Sequence, residues 1–119
     1  MTTERKADPS CLFCRIVQRQ IPSTTVFEDA EFYAFRDIAP TAPTHVLIVP
    51  KAHIARLSAA SSEDAPLLAR LFLAVAKIAR EEKATAYRLV VNNGAEAGQS
   101  VDHLHLHLLA GRSFAWPPG

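Results

Sequence analysis

Three of the five histidines in this 119-residue chain fall at alternate positions, His103, His105 and His107 in "VDHLHLHLLAGR". Leu104, Leu106 and Leu108 fill the intervening places. Alternation is the period of a β-strand, so the spacing predicts three imidazoles on one face and three leucines on the other, facing a core. Adjacent rings on such a strand stand about 6.5–7 Å apart, near enough to act on one ligand. Three readings compete for them. Histidines on a solvent-facing strand can be idle, although three of five in register argues against it. They can share a metal ion, but Asp102, the nearby carboxylate, alternates to the opposite face and makes a poor fellow ligand. In the third reading one ring attacks a substrate while another handles protons.

The preceding residues favour the third reading. "NNGAEAGQS" supplies Gly94 and Gly98, positions at which backbone N–H groups can turn toward a ligand. Gln99 and Ser100 add side-chain hydrogen-bond donors, so the loop suits phosphate oxygens. A second constellation lies far upstream. Cys11 and Cys14 in "CLFC" form a Cys-x-x-Cys pair, half of a four-ligand zinc site, and His53 is a candidate third ligand. The alternative is a pair of buried thiols.

The elements that position these residues are legible in outline. "SCLFCRIVQRQIP" predicts a short helix capped by Ser10 and stopped by Pro22. "TTVFED", "EFYAFRDI" and "HVLIVPKAH" predict strands, the last two separated by the proline-marked loop "APTAPT". "SSEDAPLLARLFLAVAKIAREEK" is the clearest helix. Leu67, Leu68, Leu71, Phe72, Val75, Ile78 and Ala79 recur at helical spacing, and Ser61 or Ser62 supplies its cap. "YRLVVNN" predicts a further strand before the histidine strand. The order lacks a regular strand–helix alternation, which predicts an α+β fold with a mainly antiparallel sheet. Residues 1–9 are polar and read as a disordered leader, with a single domain over 10–119.

Composition narrows the functional classes. The chain is 49% hydrophobic and 21% charged, with a formal net charge of +1, ordinary for a globular protein. That balance offers nothing to attract nucleic acid or an acidic membrane. No apolar run is long enough to span a bilayer, and the start does not resemble a secretion signal, so a cytoplasmic location is expected. In a reducing compartment Cys11 and Cys14 are then thiols or metal ligands rather than a disulfide.

"HLHLHLL" resembles the His-x-His-x-His-x-x signature of the histidine-triad (HIT) superfamily of nucleotide hydrolases and transferases. "IPSTTVFED", "FRDIAPTAPTHVLIVPKAHI", "YRLVVNNG" and the tail "WPPG" extend the likeness to its Hint branch over nearly the whole chain after residue 10. The resemblance implies an antiparallel five-stranded sheet with two helices, paired as a symmetric homodimer. It implies hydrolysis of purine nucleoside 5′-monophosphoramidates through a covalent nucleotidyl-histidine, with no metal required for the chemistry. Alternatives are a dinucleoside polyphosphate hydrolase of the same superfamily and a largely non-catalytic regulator that binds purine nucleotides.

Carried over by position, His105 matches the nucleophile and His107 the group that contacts the phosphate. His103 matches the first triad position and His45 an upstream member of the same hydrogen-bonded network. Ser100 matches the residue beside the leaving group, and Asn92, Gly98 and Gln99 match phosphate and sugar neighbours. Asp37 matches the ribose carboxylate. Leu12, Phe13, Ile16, Ile21, Phe35 and Ile38 match positions that line the base pocket, and Trp116 matches a tail residue reaching the partner subunit's site. Some bacterial-type members hold a structural zinc with residues matching Cys11, Cys14, His53 and His103. Asp102 and Arg36 depart from or vary within the family pattern, without an assigned effect.

Overall fold

A computed structural model describes residues 6–119. Helix α1 spans Leu12–Val17. Strands β1 (Thr25–Glu28), β2 (Phe32–Arg36) and β3 (Thr44–Pro50) follow, then helix α2 (Ala65–Glu81), β4 (Tyr87–Val90) and β5 (Leu106–Ala110). The strands form one antiparallel sheet in the order β1-β2-β3-β5-β4. This is the expected α+β architecture, five strands with two helices. Among the described residues no helix is long and apolar enough to cross a membrane.

Because successive side chains point to opposite faces, each central strand serves two cores. Phe32 and Ala34 of β2, Val46 and Ile48 of β3, and Leu106 and Leu108 of β5 face α2, together with Leu104 just before β5. They pack on Leu71, Ala74, Val75, Ile78 and Ala79 of that helix. The intervening residues Tyr33, Phe35, Leu47 and Val49 face the other way and pack on Cys11, Phe13, Cys14 and Ile16 around α1. Leu47 pairs with His107 in the β3–β5 ladder, which puts His107 on the α1 face. The leucines therefore meet a core as expected.

Several local expectations need correction. Cys11 caps α1, its sulfur accepting the Cys14 N–H, whereas Ser10 donates instead to the Asp8 carboxylate. The helix ends at Val17, well before Pro22, because Arg19 turns to a positive φ of 66°. Phe72 lies on the solvent side of α2 at 55% exposure, since the buried stripe runs through Leu71, Val75 and Ile78. Ser61 precedes a 3₁₀ turn at Ser62–Asp64 that leads into α2, and its N–H donates to the Asp64 carboxylate at 2.8 Å. Of the expected leader, residues 1–5 lie outside the described residues. Asp8 is tied down, its carbonyl accepting the Cys11 N–H at 3.0 Å and its own N–H reaching Cys14 Sγ at 3.4 Å.

Gly111, immediately after β5, has a φ of +94°, and a Cβ there would come within 2.8 Å of Pro43 Cβ. Gly94 also has a positive φ of +93° but faces open space. Gly111→Ala is therefore expected to destabilise the fold by about 1–3 kcal/mol, through backbone strain and the clash together. Gly94→Ala carries only the backbone cost of about 1–2 kcal/mol. Urea denaturation of the two variants checks this, and equal midpoints would contradict the close approach at Pro43.

Candidate active site

Only His107 of the triad lies within a paired strand; β5 begins at Leu106. The His103 N–H instead closes a tight turn onto the Val101 carbonyl at 2.9 Å, and the Leu104 N–H bonds the Ile54 carbonyl at 2.6 Å. The expectation of three rings on one regular strand is corrected accordingly. The rings still share the α1 side of the sheet: His105 and His107 lie edge to face at 5.1 Å between centroids. Phe13, from α1, presses against both His105 at 5.0 Å and His103 at 6.0 Å.

Hydrogen bonds to groups that can only donate or only accept fix where the ring protons sit. His105 Nδ1 lies 2.7 Å from the His103 carbonyl, so Nδ1 carries the proton and donates it. Among the described residues its Nε2 keeps a lone pair with no hydrogen-bond partner, on a ring that is 6% exposed. The Thr41 N–H donates to His45 Nδ1 at 3.1 Å, which places the His45 proton on Nε2. That nitrogen is 2.9 Å from His107 Nδ1 and donates to it, leaving the His107 proton on an unpartnered Nε2. Asp37 Oδ2 stands 3.4 Å from the same His45 Nε2, and Asp37 Oδ1 accepts the Ala39 N–H at 2.8 Å.

Burial pushes the His107 imidazole down to about 4, with His105 and then His45 adding to the effect. At neutral pH it is an uncharged ring that donates through Nε2. The site thus sets an unprotonated ring nitrogen on His105 beside a hydrogen-bond donor on His107. A nucleophile next to a stabiliser of developing negative charge is what that pair can supply.

The remaining predicted residues are distributed around this centre. Ile16, Phe35, Asp37 and Ile38 line a cleft of about 390 Å³, shared with Pro22, Ser23, Thr24 and Arg36. Ile38 is fully exposed and Phe35 buried. Phe13 does not line this cleft; it fills the space between Phe35 and the triad rings. Ile21 packs half-buried against the α1 core. Leu12 borders a different cleft of about 510 Å³ with Cys11, His53, Arg56, Ser100 and Asp102.

Asn92 follows β4 and lies against Gly98, whose φ of +101° needs glycine. Ser100 is exposed, and no described residue bonds it. Gln99 is not an available donor, which corrects that expectation. Its amide nitrogen donates to the Ala55 and Val101 carbonyls and its oxygen accepts the Gly94 N–H, so it braces the loop from within. Trp116 is 83% exposed, in a tail anchored by Arg88 on the Ala115 carbonyl. Asp102 pairs with Arg56 at 3.0 Å, and Arg36 pairs with Glu82.

Cys11, Cys14, His53 and His103 converge, one ligand atom from each lying within 4.8 Å of the others. A tetrahedral zinc with ordinary bond lengths requires nitrogen–sulfur edges of about 3.6 Å and a nitrogen–nitrogen edge of about 3.3 Å. His103 Nδ1 is 3.3 Å from Cys11 Sγ, 3.6 Å from Cys14 Sγ and 3.3 Å from His53 Nδ1, and Cys14 Sγ is 3.4 Å from His53 Nδ1. His103 Nε2 donates to the Pro50 carbonyl at 2.7 Å, so its Nδ1 turns a lone pair into the cluster. Burial pushes the Cys14 thiol up to about 11, a penalty that a bound cation would offset. The residues fit the ion. His103 thus directs its ring into this cluster. Asp37, His45 and His107 also converge, but the His45 proton occupies the nitrogen that an ion there would need.

Comparison with known proteins gives these residues their context. A HIT-like protein of Synechocystis sp. (strain ATCC 27184 / PCC 6803 / Kazusa), itself uncharacterized, is 50% identical over 109 residues, 91% of this chain and 96% of its own. The crystal structure of a HIT family hydrolase from Legionella pneumophila Philadelphia 1 superposes with a TM-score of 0.89 at 51% identity, over 92% of this chain and 100% of that one. A histidine triad protein from Clostridium difficile gives the same TM-score at 38% identity, over 92% of this chain and 97% of that one. The HIT domain model matches residues 18–114, a span that begins after the Cys-x-x-Cys helix and contains all five histidines. With that match and these relatives, the chain belongs to the HIT domain family.

Proposed function

We propose that this protein is a hydrolase that cleaves the P–N bond of purine nucleoside 5′-monophosphoramidates through a covalent nucleotidyl-His105. The observation that carries the reading is the His105 tautomer: Nδ1–H is committed to the His103 carbonyl, which leaves Nε2 its lone pair. The likeness to a HIT family hydrolase from Legionella pneumophila supports the class of reaction.

In this reading the nucleoside lies in the cleft of Ile16, Phe35 and Ile38, with the Asp37 carboxylate accepting ribose hydroxyls. His105 Nε2 attacks the α-phosphorus and the P–N bond breaks. His107 Nε2–H donates to a phosphate oxygen as charge gathers there, and does so as a neutral ring because the relay from Thr41 through His45 fixes its proton. The departing nitrogen takes the Ser100 hydroxyl proton, which solvent water replaces, and leaves as the amine. Water then attacks phosphorus, releases the nucleoside monophosphate and frees the imidazole. Asn92 and Gly98 flank the phosphate and sugar, while Gln99 holds the loop's shape.

The chemistry itself needs no metal in this proposal. Cys11, Cys14, His53 and His103 would hold a structural zinc, which cross-links α1 to the segments that follow β3 and precede β5 and so adds folding energy. Two copies pair as a homodimer. β4 is an edge strand carrying the exposed Tyr87, and the exposed Trp116 of the tail is available to a partner. Membrane and nucleic acid are not partners in this reading, and the location is cytoplasmic.

His105→Ala is expected to lower turnover of an adenosine phosphoramidate by at least about a thousandfold, since it removes the covalent route rather than one contact. Binding of AMP should survive the substitution. Equal turnover by the variant and the wild type overturns the assignment.

A second outcome concerns pH. The unfolded chain takes up a proton on His107 near the ordinary value of 6.5, whereas the folded site resists until about 4. Between those values the unfolded state binds more protons, so stability is present above 6.5 and falls as the pH drops toward 4. In His107→Gln, which cannot titrate, the urea midpoint should fall less steeply across this window. Parallel profiles would show that His107 titrates normally in the fold.

A further inference from the structure

His103 belongs to two systems at once. Its ring is fully buried, with Nδ1 in the Cys11–Cys14–His53 cluster and Nε2–H on the Pro50 carbonyl. Its main-chain carbonyl, on the same residue, accepts the His105 Nδ1–H at 2.7 Å. The backbone around it lies outside the strand ladder and is held by its own turn onto Val101 and by Leu104 on Ile54. The direction of that carbonyl therefore follows the pose of the residue that carries it, and the cluster sets that pose.

A second link runs through α1. Phe13 sits between the two cysteines in sequence and presses edge-on against both the His103 and His105 rings. Whatever fixes Cys11 and Cys14 also fixes the wall against which the His105 ring rests. Without an ion, the His53 and His103 nitrogens, 3.3 Å apart, and the two cysteine sulfurs are one another's hydrogen-bond partners. Any arrangement that puts the His103 proton on Nδ1 gives up the bond to Pro50 and releases the residue.

We propose that the Cys11–Cys14–His53–His103 cluster, by holding a divalent metal such as zinc, positions the nucleophile. It does so by locking the His103 carbonyl and Phe13 around His105, so that Nδ1 keeps the proton and Nε2 stays free. This rests on the reading of His105 as nucleophile and extends it: Cys11, Cys14 and His53 are positioning residues, acting through His103 and Phe13, rather than a remote staple.

The test uses the full chain without a histidine tag, labelled with ¹⁵N-histidine, in a reducing buffer. Wild type loaded with zinc should show one metal per chain and a single Nδ1–H tautomer for His105, whose signal is identified by its loss in His105→Asn. Stripping with EDTA should turn that signal into a mixture of tautomers and lower kcat for an adenosine phosphoramidate about tenfold, with KM hardly moved. Zinc should restore both.

Cys11→Ser with Cys14→Ser risks the fold, so His53→Ala, at a half-buried ligand outside both cores, provides the second variant. It should lose zinc affinity and show the same tautomer mixture while circular dichroism is unchanged. The proposal is overturned if wild type takes up no stoichiometric zinc, or if metal leaves a folded chain while the His105 tautomer and kcat stay as they were. Turnover surviving in His105→Ala would instead sink the nucleophile assignment, and the tautomer measurement decides the coupling independently of it.

Discussion

The site depends on a strict division of labour between the two faces of one sheet. Every central strand must present oil to α2 and a second set of groups to α1, because neighbouring side chains point opposite ways. In β5 and its approach, that second set is imidazole. Leu104, Leu106 and Leu108 bury completely under α2, and their burial is what holds His105 and His107 on the other side. Leu47 opposite His107, and Phe13 against His105, close that side without offering either ring a polar partner on Nε2.

Within that frame the chemistry is written in proton positions. Main-chain groups at the ends of two short relays, the Thr41 N–H and the His103 carbonyl, have no freedom to exchange roles. Each therefore dictates a tautomer, and the two outcomes are opposite: a bare Nε2 on His105 and a protonated Nε2 on His107. Two chemically identical side chains, 5.1 Å apart between ring centroids, thus carry their protons on opposite nitrogens, one set directly by a main-chain carbonyl and the other by a main-chain N–H acting through His45. Asp37 stands at once 3.4 Å from His45 and on the wall of the neighbouring cleft.

Much of this was legible in the sequence because it rests on periodicity and spacing. The two-residue alternation gave the leucine core, and the 3.6-residue stripe gave α2. What escaped lies where local bonds override the period. His103 reads as a strand residue, yet its N–H closes a turn on Val101 and its ring leaves for the cysteines. Gln99 reads as a free donor, yet a loop bounded by two positive-φ glycines needs an internal brace, and its amide supplies it. Phe72 fits a generous apolar stripe, but the stripe that meets the sheet is narrower. The convergence around Cys11 joins positions 92 residues apart; spacing alone offered the two cysteines and His53, and the family resemblance added His103.

The alternating segment also has an evolutionary corollary. Its side-chain polarity is a matter of parity, so substitutions along it are graded in effect, whereas a change in length is not. Losing or gaining a single residue within β5 would exchange the faces of every strand residue on one side of the change, sending imidazole into oil and leucine into the pocket. A replacement in β5 alters one position, whereas the exposed parts of the glycine-bounded loop and the tail carry no such odd–even constraint on length.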